Sequence, residues 1–120
     1  MEEADLALLN EIAVWGSNHA ETQHAQIIIE ALKLAEGDSE RVVCSQGLND
    51  FNRGRFPEAV KLLGPWCDNN PPGTTHCMLA MTLWQWGRKA EAERYCRDVI
   101  ESSESKEAIA FAKEILDNLK

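Results

Sequence analysis

The sequence predicts an all-α fold of stacked helical hairpins, and three observations carry the prediction. Three alanines, Ala25, Ala59 and Ala92, recur 34 and 33 residues apart, and their surroundings recur in phase. Four residues after each stands Ile29, Leu63 or Cys96, and seven after stands Leu32, Trp66 or Val99. Small residues keep the same phase, with Ala13, Gly47 and Ala80 twelve before the markers and Ala20, Gly54 and Gly87 five before. No segment alternates apolar and polar residues with the period of a strand.

A period near 34 with small residues at two fixed offsets is the pattern of tetratricopeptide-type repeats. The small residues belong where two antiparallel helices cross closely, and the glycine where the chain turns between them. Seven helices are expected in one domain, 1–120. Three hairpins, at about 3–37, 39–70 and 74–102, are followed by a capping helix at about 104–119. The stack forms a short right-handed superhelix with a concave groove.

The first helix, about 3–16, carries Leu6, Leu9 and Ala13 on one stripe and Leu8, Ile12 and Trp15 on another. The second, about 20–36, ends at Gly37-Asp38, a glycine stop. The third, about 39–52, leads through Arg53-Gly54-Arg55 into a fourth, and Pro57 suits the first turn of that helix. Asn69-Asn70-Pro71-Pro72-Gly73 is the clearest break, with Thr74 or Thr75 as the next N-cap. The fifth helix runs to about residue 86 and the sixth over about 89–101. Ser103 or Ser105 then caps the last helix, whose Ala108, Phe111, Ala112, Ile115, Leu116 and Leu119 follow helical spacing. In the first repeat Ala20 stands where the other two have a turn glycine.

Composition narrows the function classes. A net charge of −8 opposes nucleic-acid binding, which needs a basic face to replace phosphate counterions, and docking on an anionic membrane. The acidic start Met1-Glu2-Glu3-Ala4-Asp5 lacks the basic and apolar regions of a secretory signal. No apolar run approaches the ~20 residues that span a bilayer. A cytosolic protein is expected, and its four cysteines, Cys44, Cys67, Cys77 and Cys96, are read as reduced thiols without a C-x-x-C pair.

Catalytic and metal readings find little support. His19 and His24 are five apart, whereas helical metal pairs converge at i, i+3 or i, i+4. His76 and Cys77 with Cys67 lack a fourth ligand for a closed tetrahedral site. No nucleophile elbow, P-loop, dinucleotide fingerprint or H-E-x-x-H occurs. Neither an enzyme nor a cofactor is expected.

The offsets that face the groove are populated by apolar side chains. Eleven before the markers come Val14, Leu48 and Met81; fifteen before come Asn10, Cys44 and Cys77; eight before come Ser17, Phe51 and Trp84. Seven before come Asn18, Asn52 and Gln85. Val14, Cys44, Leu48, Phe51, Asn52, Cys77, Met81 and Trp84 are thus the candidate binding residues. An apolar groove with amide edges suits the hydrophobic face of an amphipathic helix. The alternative is that some of them, Cys44 and Cys77 above all, are core covered by the seventh helix. A second candidate surface is Leu8, Ile12 and Trp15, because a terminal repeat is polar outside unless something covers it. Packing between helices one to four is the competing reading of those side chains.

Leu8-Leu9-Asn10-Glu11-Ile12-Ala13, Asn18-His19, Arg53-Gly54-Arg55-Phe56-Pro57-Glu58-Ala59 and Leu83-Trp84-Gln85-Trp86-Gly87 together resemble the YscG/PscG-type chaperones of bacterial type III secretion, over essentially the whole chain. The resemblance implies a cytoplasmic chaperone whose groove buries the C-terminal amphipathic helix of a needle-forming subunit and blocks its polymerisation. It also implies a small helical co-chaperone on the N-terminal hairpin. Without the resemblance, a tetratricopeptide adaptor or a regulatory subunit joining two cytosolic proteins fits the same surfaces.

Overall fold

The computed structural model describes residues 2–119. It contains α1 (Glu3–Asn18), α2 (Thr22–Glu36), α3 (Glu40–Asn52), α4 (Phe56–Asp68), α5 (Thr74–Gln85), α6 (Lys89–Ser102) and α7 (Lys106–Leu119). Among the described residues there is no strand. The marker alanines Ala25, Ala59 and Ala92 are all buried, as are Ala13, Gly47 and Ala80.

The turns from α1 to α2, α3 to α4 and α5 to α6 share one construction. At each, a residue in the left-handed region follows the helix: Ala20 at φ 65°, Gly54 at 74° and Gly87 at 84°. The next N–H then reaches back to a carbonyl five residues earlier. Glu21 donates to Gly16, Arg55 to Asp50 and Arg88 to Leu83, each at 2.8 Å. This is the Schellman closure, which satisfies carbonyls the ended helix leaves open. Glycine takes that conformation freely, whereas Ala20 holds it against the steric preference of its Cβ.

Other ends are closed by side chains. Ser39 Oγ accepts from Val42 N–H at the start of α3, and Ser105 Oγ from Ala108 N–H at the start of α7. The end of α4 follows Pro65, and Asn69 and Asn70 turn their side-chain amides back onto the Pro65 and Trp66 carbonyls. The N-cap of α5 is Gly73 rather than either threonine. Its N–H donates to Nδ1 of buried His76, whose Nε2–H donates to the Cys67 carbonyl at 3.0 Å. Those two bonds hold the ring neutral, with its proton on Nε2.

The chain divides into two units, residues 1–55 and 56–120. The division falls inside the expected second hairpin: α3 packs with α1 and α2, and α4 with α5. In the first unit, Leu6, Leu32 and Val42 form a core cluster with Leu9 and Ile28 packed against it. In the second, α5 and α6 pack on each other and on α7. The buried stripe of α7 is Ala108, Ala112, Ile115 and Leu119.

Candidate functional site

The candidate binding faces lie on α1 and α3 in the first unit and on α5 in the second. Val14, Leu48 and Met81, which share one repeat offset, are each half-buried. Phe51 and Trp84, which share another, are half-buried too, as is Cys44. A half-buried apolar side chain is anchored by its own fold and still offers surface to a partner. The third member of the Phe51 and Trp84 offset, Ser17, is buried instead.

Cys77 departs from the sequence reading. It is fully enclosed, with its Sγ–H directed at the Ala108 carbonyl of α7 at 3.4 Å. Burial, with Cys96 nearby, pushes its thiol up to about 12. The same offset on α1 behaves alike, since Asn10 accepts from the Ser45 hydroxyl of α3. That position meets the next first-in-pair helix of its own unit rather than a free face. Cys77 is therefore core, held there by α7.

The amides expected at the groove edge are partly spent on packing within the first unit. Asn52 is exposed, and its Nδ2 donates to Ser17 Oγ at 2.9 Å and Asn18 Oδ1 at 3.0 Å. Deeper in, the Ser17 hydroxyl donates to Asn49 Oδ1 at 2.9 Å. Asn49 Nδ2 donates to the Thr22 carbonyl and to Gln26 Oε1. Gln26 and Gln46 exchange amide bonds at 2.7 and 2.8 Å. Sequence reasoning missed this network, although Ser45, Asn49 and Asn52 recur at helical spacing on one face of α3.

The second candidate surface is open. Leu8, Ile12 and Trp15 are 55%, 45% and 61% exposed. They lie on the side of α1 opposite Asn10 and Ser17, the residues that bond α3. The His19 ring stacks on Trp15 with centroids 4.1 Å apart, and its Nδ1–H donates to the Trp15 carbonyl. Within Ile27-Ile28-Ile29 only Ile29 is buried, and Ile27 points to solvent. Leu34, one heptad after Ile27 and unremarked in the sequence, is 91% exposed. Ile27, Ala31 and Leu34 form a second exposed stripe at i, i+4 and i+7, facing away from buried Ala25, Ile29 and Leu32.

Arg41 on α3 ties that helix to both helices of the first hairpin. It forms a forked pair with Glu3 at 2.6 and 2.9 Å and bonds Glu36 at 2.6 Å. The hydrogen bond from Arg41 holds both carboxyls below the ordinary glutamate range. Elsewhere, a depression of about 360 Å³ between the Pro71-Pro72 and Ser102–Ser105 loops contains none of the candidate binding residues. Among the described residues no group of three His, Cys, Asp or Glu side chains is placed to hold a metal. Among those residues no helix is long and apolar enough to cross a membrane.

No protein-family model and no curated protein matches the sequence. Solved structures do match the fold. The Yersinia enterocolitica type III secretion chaperone SycD, in complex with a peptide of the translocator YopD, aligns with a TM-score of 0.73 and 18% identity over 98% of this chain and 94% of that one. A second structure of that translocator chaperone aligns at 0.72 and 19%, covering 99% and 86%. A third, described as an alternative dimer, aligns at 0.74 and 18%, covering 98% and 93%. At such identity the likeness establishes the shared all-α, tetratricopeptide-like fold.

Proposed function

We propose that this protein is a type III secretion chaperone that acts in the cytoplasm by binding an amphipathic helix of a secreted subunit. One observation carries the reading: the same offset of three successive first-in-pair helices presents a half-buried apolar side chain, Val14, Leu48 and Met81. Half-buried Phe51 and Trp84 supply aromatic anchors on the same helices, and exposed Asn52 and Gln85 supply polar edges. Apolar anchors with amide rims are what the hydrophobic face of an amphipathic helix requires of the surface that receives it. The fold shared with SycD supports the same reading.

The client assigned by the sequence resemblance is the C-terminal helix of a needle-forming subunit, held to prevent polymerisation. A translocator is the second client to test, because SycD is seen with a translocator peptide. The exposed stripe Leu8, Ile12 and Trp15 is assigned to a small helical co-chaperone.

Co-expression with a needle subunit and, separately, with a translocator, followed by mass measurement of the soluble complex, identifies the client. Trp84→Ala or Phe51→Ala should weaken client binding by about 30-fold, equivalent to ~2 kcal/mol for an aromatic anchor, with the helical signal retained. Undiminished binding by both variants overturns the assignment of these faces. So does loss of the fold, since the residues are then core.

A further inference from the structure

The negative charge of this protein is concentrated in its first hairpin. Residues 1–38 contain eight carboxylates and one lysine, so seven of the eight net negative charges fall there. Residues 39–120 contain twelve carboxylates and eleven Lys or Arg, which nearly balance. The lone lysine, Lys33, pairs with Asp38 at 3.6 Å. Arg41 satisfies Glu3 and Glu36 from the α3 side.

Three of the remaining carboxylates border the exposed apolar stripes. Asp5 and Glu11 stand three residues before and after Leu8, one on each side of the Leu8, Ile12 and Trp15 stripe, and both are exposed. Glu30, also exposed, sits between Ile27 and Leu34 on α2. His24 near that stripe faces Glu21 at 3.0 Å, so its charge when protonated is already matched. On α1, an apolar stripe with carboxylates on its flanks and no lysine or arginine on the helix selects partners by charge as well as by shape.

We infer that the Leu8, Ile12 and Trp15 face of α1 docks a basic amphipathic helix of a different polypeptide, with lysine or arginine flanking its apolar stripe, and does not pair with a second copy of this chain. This rests on the reading of that face as a second docking surface and adds the chemistry of its occupant. Two copies meeting there would set like-charged rims against each other around a desolvated centre, which opposes association. A basic partner turns the same rim into attraction, and the approach is accelerated at low salt.

The test uses the full chain and two synthetic helical peptides with identical apolar positions, one flanked by Lys and Arg and the other by Glu and Asp. Fluorescence anisotropy of the labelled peptides reads affinity, and light scattering on a sizing column reads oligomeric state. The basic peptide should bind at least about tenfold more tightly than the acidic one, and the preference should shrink in ~0.5 M salt, where the screening length falls to a few ångströms. Trp15→Asp should abolish binding. The pair Asp5→Lys and Glu11→Lys, both at the surface, should reverse the preference, while Trp84→Ala leaves it unchanged. Equal affinity for the two peptides overturns the inference, as does binding that survives Trp15→Asp. A dimer broken by Leu8→Asp also overturns it by placing a second copy on the face. If Trp84→Ala binds both its client and the basic peptide normally, the groove reading fails while this inference stands.

Discussion

Asn49→Ala tests whether polar bonding rather than apolar packing joins α3 to the first hairpin. The side chain is fully buried and makes three hydrogen bonds: one accepted from Ser17 and two donated, to the Thr22 carbonyl and Gln26. Each neutral bond contributes about 1 kcal/mol net, and a buried group left unpaired adds about 1–3 kcal/mol. Gln26 retains its exchange with Gln46, and Ser17 still accepts from Asn52, so the orphaning is partial. The expected loss is therefore about 3 kcal/mol, or a Tm lower by about 10 °C for a chain of this size.

The assay is urea denaturation followed by circular dichroism, with amide exchange on α1, α2 and α3 as the local readout. Gln23→Ala, at an exposed position on α2, is the control and should stay within about 0.5 kcal/mol. A double-mutant cycle with Ser17→Ala isolates the bond between the two side chains and should return a coupling of about 1 kcal/mol. A loss below about 1 kcal/mol, or strict additivity with Ser17→Ala, refutes the claim that this network joins the helices.

Two further outcomes are expected. Ala20→Gly should stabilise the protein by about 0.5–1 kcal/mol, because it relieves a left-handed alanine at the position where the other two turns carry glycine; thermal melting checks it, and a destabilised variant contradicts the strain argument. Cys77, with its thiol pushed up to about 12 and its side chain enclosed, should resist maleimide at pH 8 until the second unit unfolds. Peptide mapping that finds Cys77 modified as fast as in the denatured chain would place it at the surface.

Much of the fold was legible because its determinants are local. All seven helices were expected, with ends within a few residues, since periodicity, Gly37, Gly54, Gly87 and the Pro71-Pro72 break act through nearby backbone geometry. Ala20 illustrates the strength of the repeat: it departs from the glycine of the other two turns, yet it holds the same left-handed conformation. What sequence spacing leaves undetermined is which side of a helix its neighbour covers. Cys77 was assigned to the groove by its offset, yet α7 lies over it, and Asn10 at the same offset is engaged by Ser45. The bonding of Gln46 and Asn49 on α3 went unread for a related reason. Isolated Asn and Gln residues look like solvated edges until two helices bring them together, and then their bonds become strong determinants of register.

The α7 and first-hairpin surfaces differ in where they place charge. On α7 the side away from the buried stripe carries Lys106, Glu107, Lys113, Glu114 and Asp117, with Phe111 the one large exposed apolar side chain, at 37%. That is how a terminal helix is ordinarily made soluble. The chain thus uses charge to close a terminal surface in its second unit. In its first unit the outward positions at helical spacing are Leu8, Ile12, Trp15, Ile27 and Leu34, while the charge stands at their borders. Covering the exposed part of each such side chain contributes about 1–2 kcal/mol, so the three on α1 contribute several kcal/mol before the entropy of association is subtracted. Random drift in a terminal repeat has no reason to place apolar residues at i, i+4 and i+7 on both helices with Asp5, Glu11 and Glu30 at their borders. A face selected to meet a basic helix does.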